Sequence, residues 1–203
     1  MDPAERLDEN TVRILDAARV CFTARGVRRT TMNEIARVAG VGVATAYRRF
    51  PQKPALVRAV ILREAEHVIT LVAGEMNRPG DVADQSANGF TAFAHALADR
   101  PLLVQLMRGQ PAEATVIGVG SDLLDLVMAM ARDAVATWLR GYQAEGRFVG
   151  LDADVLGEIY ARLALSLVLT PDGVIPMHDD DATRAFARQY LVPLLGVSVF
   201  DAR

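Results

Sequence analysis

The folding options of this chain are narrowed most by residues 30–54, TTMNEIARVAGVGVATAYRRFPQKP. Thr31 precedes Glu34 by three residues, the spacing of a capping box that opens a helix. Ile35, Ala36 and Ala39 then line one face of a short amphipathic helix. Gly40 stops it, because glycine takes the left-handed backbone of a helix end at least cost. A turn over Gly40–Gly42 leads to a second short helix, about Val43 to Phe50. Pro51 and Pro54 close that helix off. Two short helices, a tight glycine turn and a small alanine at the crossing predict a helix-turn-helix.

The outer face of the second helix carries Val43, Ala44 and Thr45, then Tyr47, Arg48 and Arg49. Small leading residues let a helix approach base edges. Threonine, tyrosine and arginine suit phosphate oxygens. The same face also fits an ordinary helical corner with a solvated Arg-Arg pair.

GVGVATAYRRFPQKPALV resembles the end of a TetR-family DNA-binding domain, where a short recognition helix ends in Tyr, two further residues and Phe. A lysine then opens the next helix, as Lys53 does here. GVRRTTMNEIARVAG matches the preceding part of that domain, so the resemblance covers about residues 10–60. It implies that Thr31, Thr45, Tyr47, Arg49 and Lys53 face phosphates, while Gly42, Val43 and Ala44 lie closest to bases. Many family members carry polar residues at this leading edge. The apolar edge here shifts affinity toward Arg28, Arg29 and Arg48, and specificity toward thymine methyls and DNA shape.

Charge supports the same division. Residues 10–55 hold nine Arg and Lys against Asp16 and Glu34, a net of +7, whereas the rest has 13 bases and 23 acids. A basic head on an acidic body is the footprint of a polyanion-binding unit attached to one that does not bind nucleic acid. At 51% hydrophobic and 23% charged the 203-residue chain is globular and somewhat apolar. No apolar run approaches the roughly 20 residues of a membrane span, so no membrane partner is expected. The polar, acidic start is unlike a secretory signal, and Cys21 has no second cysteine to pair with. A cytoplasmic protein is expected.

The pattern throughout is helical, with no period-2 stretch, and predicts an all-α protein. A three-helix helix-turn-helix head over residues 1–52 is followed by a helical body over 53–203 for effector binding and dimerisation. Residues 1–9 form an arm. The first helix runs from Asn10 to Arg25, with Ile14, Leu15, Ala18, Cys21 and Phe22 inward. A long helix from Pro54 to Met76 follows. Further helices are predicted from Asp81 to Arg100, from Pro101 to Gly109 and from Ser121 to Glu145. The last two run from Asp152 to Thr170 and from Asp180 to Leu195, with Pro193 kinking the final one.

Aromatic and methionine side chains recur on successive body helices. Phe90, Phe93, Met107, Met128 and Trp138, with Ala131, are core residues if the body is solid and pocket lining if it is hollow. Family resemblance favours the pocket, for a small apolar or aromatic effector, with Arg162 as an anchor for an anionic group and 109–120 as the entrance. The last two helices carry more apolar positions than one face can hide. This predicts a homodimer with Tyr160, Leu167, Phe186 and Tyr190 in the contact. His178 with Asp179, Asp180 and Asp181 is the one run resembling a metal site, but acids before a helix are expected on dipole grounds. No metal, cofactor or catalytic set is predicted. The sequence therefore reads as a regulator of double-stranded operator DNA, most simply a repressor released by a small effector. The alternatives are an all-α enzyme or carrier, or a TetR-like activator without a ligand.

Overall fold

A computed structural model describes residues 9–108, 121–148 and 150–196, and these are helices and connecting turns without strands. The chain divides into two compact units, Met1–Arg63 with Gly109–Leu123 and Glu64–Arg108 with Leu124–Arg203. The expected N-terminal arm and the 109–120 entrance lie outside the described residues.

The first unit holds α1 (Glu9–Arg29), α2 (Met32–Ala39), α3 (Val43–Arg49) and the start of α4 (Lys53–Met76). Gly26 interrupts α1 with φ 75° and ψ 159°, the break expected from sequence, and a further turn continues to Arg29. That turn is held by Thr30, whose buried hydroxyl lies within hydrogen-bond reach of the carbonyls of Gly26 and Cys21. Ile14, Ala18, Phe22, Ile35, Ala36 and Ala46 are wholly buried, as are Leu56, Val57 and Val60 of α4. Burial of this order contributes about 1.5–3 kcal/mol for each large apolar side chain. The Cys21 thiol sits in this core, and burial raises its pKa.

The second unit continues α4 and adds α5 (Val82–Ala98), α6 (Pro101–Met107), α7 (Ser121–Ala144, from Leu124 onward), α8 (Ala153–Leu169) and α9 (Asp180–Phe186). Asp81, Asp152 and Asp179 cap α5, α8 and α9 by accepting backbone N–H groups, each supplying an otherwise orphaned donor with a partner. The expected single last helix is instead three pieces. After α9 come a π-helical turn, Ala187–Leu191, and a 3-10 turn, Val192–Leu195. Pro193 cannot donate a backbone hydrogen bond, so the regular ladder cannot pass through it.

Two apolar clusters hold the unit. Met76, Val82, Trp138, Leu139, Leu156 and Leu195 form one, and Phe90, Ala94, Leu167, Met177, Ala187 and Leu191 belong to the other. Helices α7 and α8 meet without a side chain between them at Gly157. A Cβ there would lie 2.6 Å from the Arg132 carbonyl oxygen. Among the described residues no helix is long and apolar enough to cross a membrane.

Candidate nucleic-acid interface and body cavity

In the first unit, Thr31 caps α2 by accepting the Glu34 N–H at 3.2 Å. Glu34 turns to Arg25, at 2.7 Å, instead of completing the expected reciprocal half of a capping box. The Thr31 residue is exposed, and its hydroxyl proton points to no partner demanded by the cap, so it can donate to an anion. Gly40 ends α2 in the left-handed region at φ 64°, and Val41 N–H closes onto the Ala36 carbonyl at 3.0 Å. This is the double closure of a Schellman turn. Arg13 donates to the Gly40 carbonyl at 3.0 Å, and a Cβ on Gly40 would stand 2.6 Å from that guanidinium nitrogen. Glycine is thus required there for φ, whereas the Arg13 guanidinium, at the end of a flexible side chain, can shift from a Cβ.

α3 presents Gly42, Val43, Ala44, Tyr47, Arg48 and Arg49 at the surface, with Thr45 half-buried and Ala46 wholly buried at the crossing. Val43 and Tyr47 are 42% and 46% exposed. The one departure is Lys53. Its ammonium donates to the Thr30 carbonyl at 2.7 Å and to the Arg28 carbonyl at 3.5 Å, and burial lowers its pKa. Lys53 therefore ties the start of α4 to the end of α1. The expected phosphate role is at most shared with this structural one. The sequence held no sign of that contact, because 23 residues separate Lys53 from Thr30.

The second unit contains a cavity of about 150 Å³. Phe90, Phe93, Met107, Met128 and Ala131 line it, as the sequence suggested. Two expected lining residues do not. Arg162 is exposed and pairs with Glu158 at 2.6 Å, one helical turn away, so it anchors nothing in the cavity. Trp138 lies in the first apolar cluster, where its N–H reaches the Met76 carbonyl and the Gln85 side-chain oxygen, both at 3.0 Å. It lines a shallow groove with Met130, Asp133 and Gly141 instead.

Sequence reasoning missed Ser86, Gly89 and the inward turn of Tyr160. Among the described lining residues, Ser86 and Tyr160 are the two with polar side chains. The Tyr160 hydroxyl donates to the Leu191 carbonyl at 2.9 Å, and burial pushes its pKa up to about 12. Gly89 leaves a notch for Met76, whose Cγ would lie 2.4 Å from a Cβ placed there. The one available signal was the 3–4 spacing of Ser86, Gly89, Phe90 and Phe93, which puts all four on one face of α5.

The expected dimer residues also sort differently. Leu167 is 6% exposed and packs inside the chain, and Tyr160 is bound to Leu191. Phe186 is half-buried, with its ring centroid 5.6 Å from Phe90 and 5.1 Å from Tyr190. Tyr190 is 56% exposed. Of the acidic run before α9, Asp179 caps the helix and Asp180 meets His95 at 2.5 Å. Among the described residues no group of three or more His, Cys, Asp and Glu could hold a metal ion.

Comparison with known proteins agrees with this architecture. Residues 14–60 match the family model described as bacterial regulatory proteins, tetR family. The transcriptional regulator AlkX of Mycobacterium tuberculosis is 28% identical over 180 residues, covering 86% of this chain and 80% of that protein. A Staphylococcus aureus transcriptional regulator is 40% identical over 62 residues, covering 30% of this chain and 34% of its own. Among solved structures, Salmonella enterica GusR superposes with a TM-score of 0.67 at 23% identity, covering 97% of this chain and 100% of that one. The TetR-family repressor AlkX of Dietzia sp., implicated in biodegradation of n-alkanes, superposes with a TM-score of 0.63 at 19% identity, over 91% and 96% of the two chains. A helix-turn-helix over residues 14–60 that matches the family model, and a likeness to transcriptional regulators over most of the chain, lead to one assignment: residues 14–60 are a DNA-binding domain of the TetR family, and the chain resembles transcriptional regulators along most of its length.

Proposed function

We propose that this regulator is a cytoplasmic, homodimeric repressor that leaves its operator when a small apolar molecule enters the body. The division of labour is residues 1–52 for DNA and 53–203 for effector and partner. The observation that carries the reading is the apolar cavity in the second unit. An interior normally closes to the density of an organic crystal, and an unfilled cavity costs stability. A cavity kept open against that cost fits a site for a guest.

In the head, Thr31, Thr45, Tyr47, Arg48 and Arg49 address phosphates, while Gly42, Val43 and Ala44 meet base edges. One head covers one half-site, and two heads read a palindrome. For the dimer contact, the exposed apolar residues Val155, Ile159 and Leu169 recur at helical spacing on one face of α8, and Tyr190 and Leu194 are exposed on the C-terminal turns. Pairing this surface with its copy about a two-fold axis covers it. Phe186 and Tyr190 remain in the proposed contact, while Tyr160 and Leu167 support it from beneath.

Release is a population shift. Taking a DNA-competent population from 99:1 to 1:99 needs about a 10⁴-fold preference of the ligand for the second state, near 5.5 kcal/mol. The test is fluorescence anisotropy of the full chain on its own upstream DNA, with and without apolar compounds selected by thermal shift. Salt-sensitive, sequence-preferring binding that falls on ligand addition is expected. Ala131→Trp should fill the cavity and block release while leaving operator affinity intact. Stabilising compounds that all leave DNA affinity unchanged would refute the repressor-release reading. A monomer at micromolar concentration by sedimentation would refute the dimer.

A further inference from the structure

We infer that the body cavity takes an electrically neutral hydrocarbon about the size of a single substituted ring, and rejects its carboxylate and ammonium counterparts. The inference rests on the effector reading above and narrows it to a ligand class. Three observations carry it: what lines the cavity, what its polar edge is already bonded to, and how large it is.

Of the 24 described residues that line it, 22 are Ala, Val, Ile, Leu, Met, Phe or Gly. Among the described residues, none that lines the cavity carries a charge. The two exceptions are neutral hydroxyls, Ser86 and Tyr160, and the Tyr160 proton is directed at the Leu191 carbonyl at 2.9 Å. A ligand acceptor entering here meets a phenol whose donor is engaged. A charged group entering here meets no counter-ion among the described lining residues. The half-buried cation flanking the lining in sequence, Arg100 between Leu97 and Leu103, is paired through one terminal nitrogen at 2.7 Å with Glu64, which precedes the lining residue Ala65, while its buried Nε has no hydrogen-bond partner among the described residues. Arg162, the other candidate, is exposed and paired with Glu158. Moving an ion from water to such a site without a partner costs several kcal/mol.

Size sets the second limit. At about 150 Å³ the cavity matches apolar protein cavities that stay dry and bind benzene. Met76, Met107 and Met128 in the wall are unbranched and flexible, which lets the shape adjust to an added methyl or ethyl group. Gly89 contributes to the same end, since its missing side chain is what admits Met76.

The experiment uses the DNA-free full chain and three probes that share one ring: toluene, benzoate and benzylamine. Isothermal titration at pH 7 should show toluene binding, with benzoate and benzylamine at least about 100-fold weaker, the factor set by an unpaired buried charge. Only neutral benzoic acid should enter. Its apparent affinity should therefore rise about tenfold for each unit by which pH falls from 8 to 6, while toluene stays flat. Ala131→Trp should weaken toluene at least tenfold. Ala164→Leu, a smaller change on α8, serves if the first variant does not fold, and should act in the same direction. Benzoate binding as tightly as toluene at pH 7, or independently of pH, overturns the ligand class and points to Arg100 leaving Glu64; the effector reading would survive. Toluene binding unchanged in both cavity variants overturns the site itself. Toluene binding without operator release supports the ligand class and sinks the repressor-release reading instead.

Discussion

The contact between α7 and α8 at Gly157 can be weighed against a neighbour that lacks it. A Cβ on Gly157 would sit 2.6 Å from the Arg132 carbonyl oxygen and 3.3 Å from its carbonyl carbon. Both are backbone atoms, so relief requires the two helices to separate. Overpacking of this kind costs about 1–3 kcal/mol. Replacing glycine by alanine in a helix also gains about 0.8–1 kcal/mol of intrinsic propensity. Gly141, on α7, has nothing within 4 Å of its would-be Cβ. Gly141→Ala should therefore stabilise by up to about 1 kcal/mol. Gly157→Ala should destabilise by up to about 2 kcal/mol, the clash outweighing the same gain. In a protein of this size that places the two melting temperatures roughly 2–12 °C apart, at about 2–4 °C for each kcal/mol. Thermal and urea unfolding, at one protomer concentration, read the difference directly. If Gly157→Ala is as stable as Gly141→Ala, the helices are not in backbone contact and this account of their packing is wrong.

Thr31 has two separable roles: Thr31→Ala should cost about 1 kcal/mol of stability by losing the cap, whereas Thr31→Asp keeps the cap and should weaken DNA binding by repelling phosphate, as unfolding and anisotropy on the same samples would show. Arg49→Ala should lower the slope of log K against log salt by about 0.9 for each phosphate left without its cation, equally on specific and bulk DNA, and an unchanged slope would remove Arg49 from the interface. Lys53→Ala should in addition destabilise the head by about 1 kcal/mol, since two carbonyls lose their partly exposed cationic donor; an unaltered melting temperature would return Lys53 to a purely phosphate-facing role. Burial raises the folded Tyr160 pKa to about 12, above the ordinary tyrosine value of 10, so the fold favours the neutral phenol. Its contribution is then full below pH 10 and is lost as pH climbs toward 12, a loss of about 2–3 kcal/mol. Tyr160→Phe should flatten that part of the stability curve, and an identical alkaline slope in both proteins would contradict the burial argument.

Local signals in the sequence located the helices well, because caps and stops act over three or four residues. Thr31, Asp81 and Asp152 open their helices, Gly40 closes α2, and Pro101 starts α6. The π-helical turn was not legible, since it depends on how residues 187–191 pack and not on their propensities. The exposed face of α3 was legible because that short helix buries only Ala46 at the crossing. The cavity was legible only as a choice, since the same Phe and Met spacing serves a filled core. Trp138 and Arg162 show the limit most clearly. Periodicity puts a residue on a face, but the Met76 carbonyl and Glu158 decide what the side chain reaches.

The π-helical turn has a consequence for length variation. A π turn holds one residue more than an α turn, so it behaves like a single inserted residue absorbed as a bulge. Helix α8 has no such slack: removing one residue there would rotate everything after it by about 100° and swing Val155 or Leu169 away from the face they share. Between Ala187 and Leu191, loss of one exposed residue such as Gln189 can instead be taken up by reverting to the tighter turn, with Leu195 still returning to its cluster. The end of the chain thus has a place where related sequences can differ by one residue and keep the same inner face. Aligned regulators should show their single-residue gaps there, and not in α8.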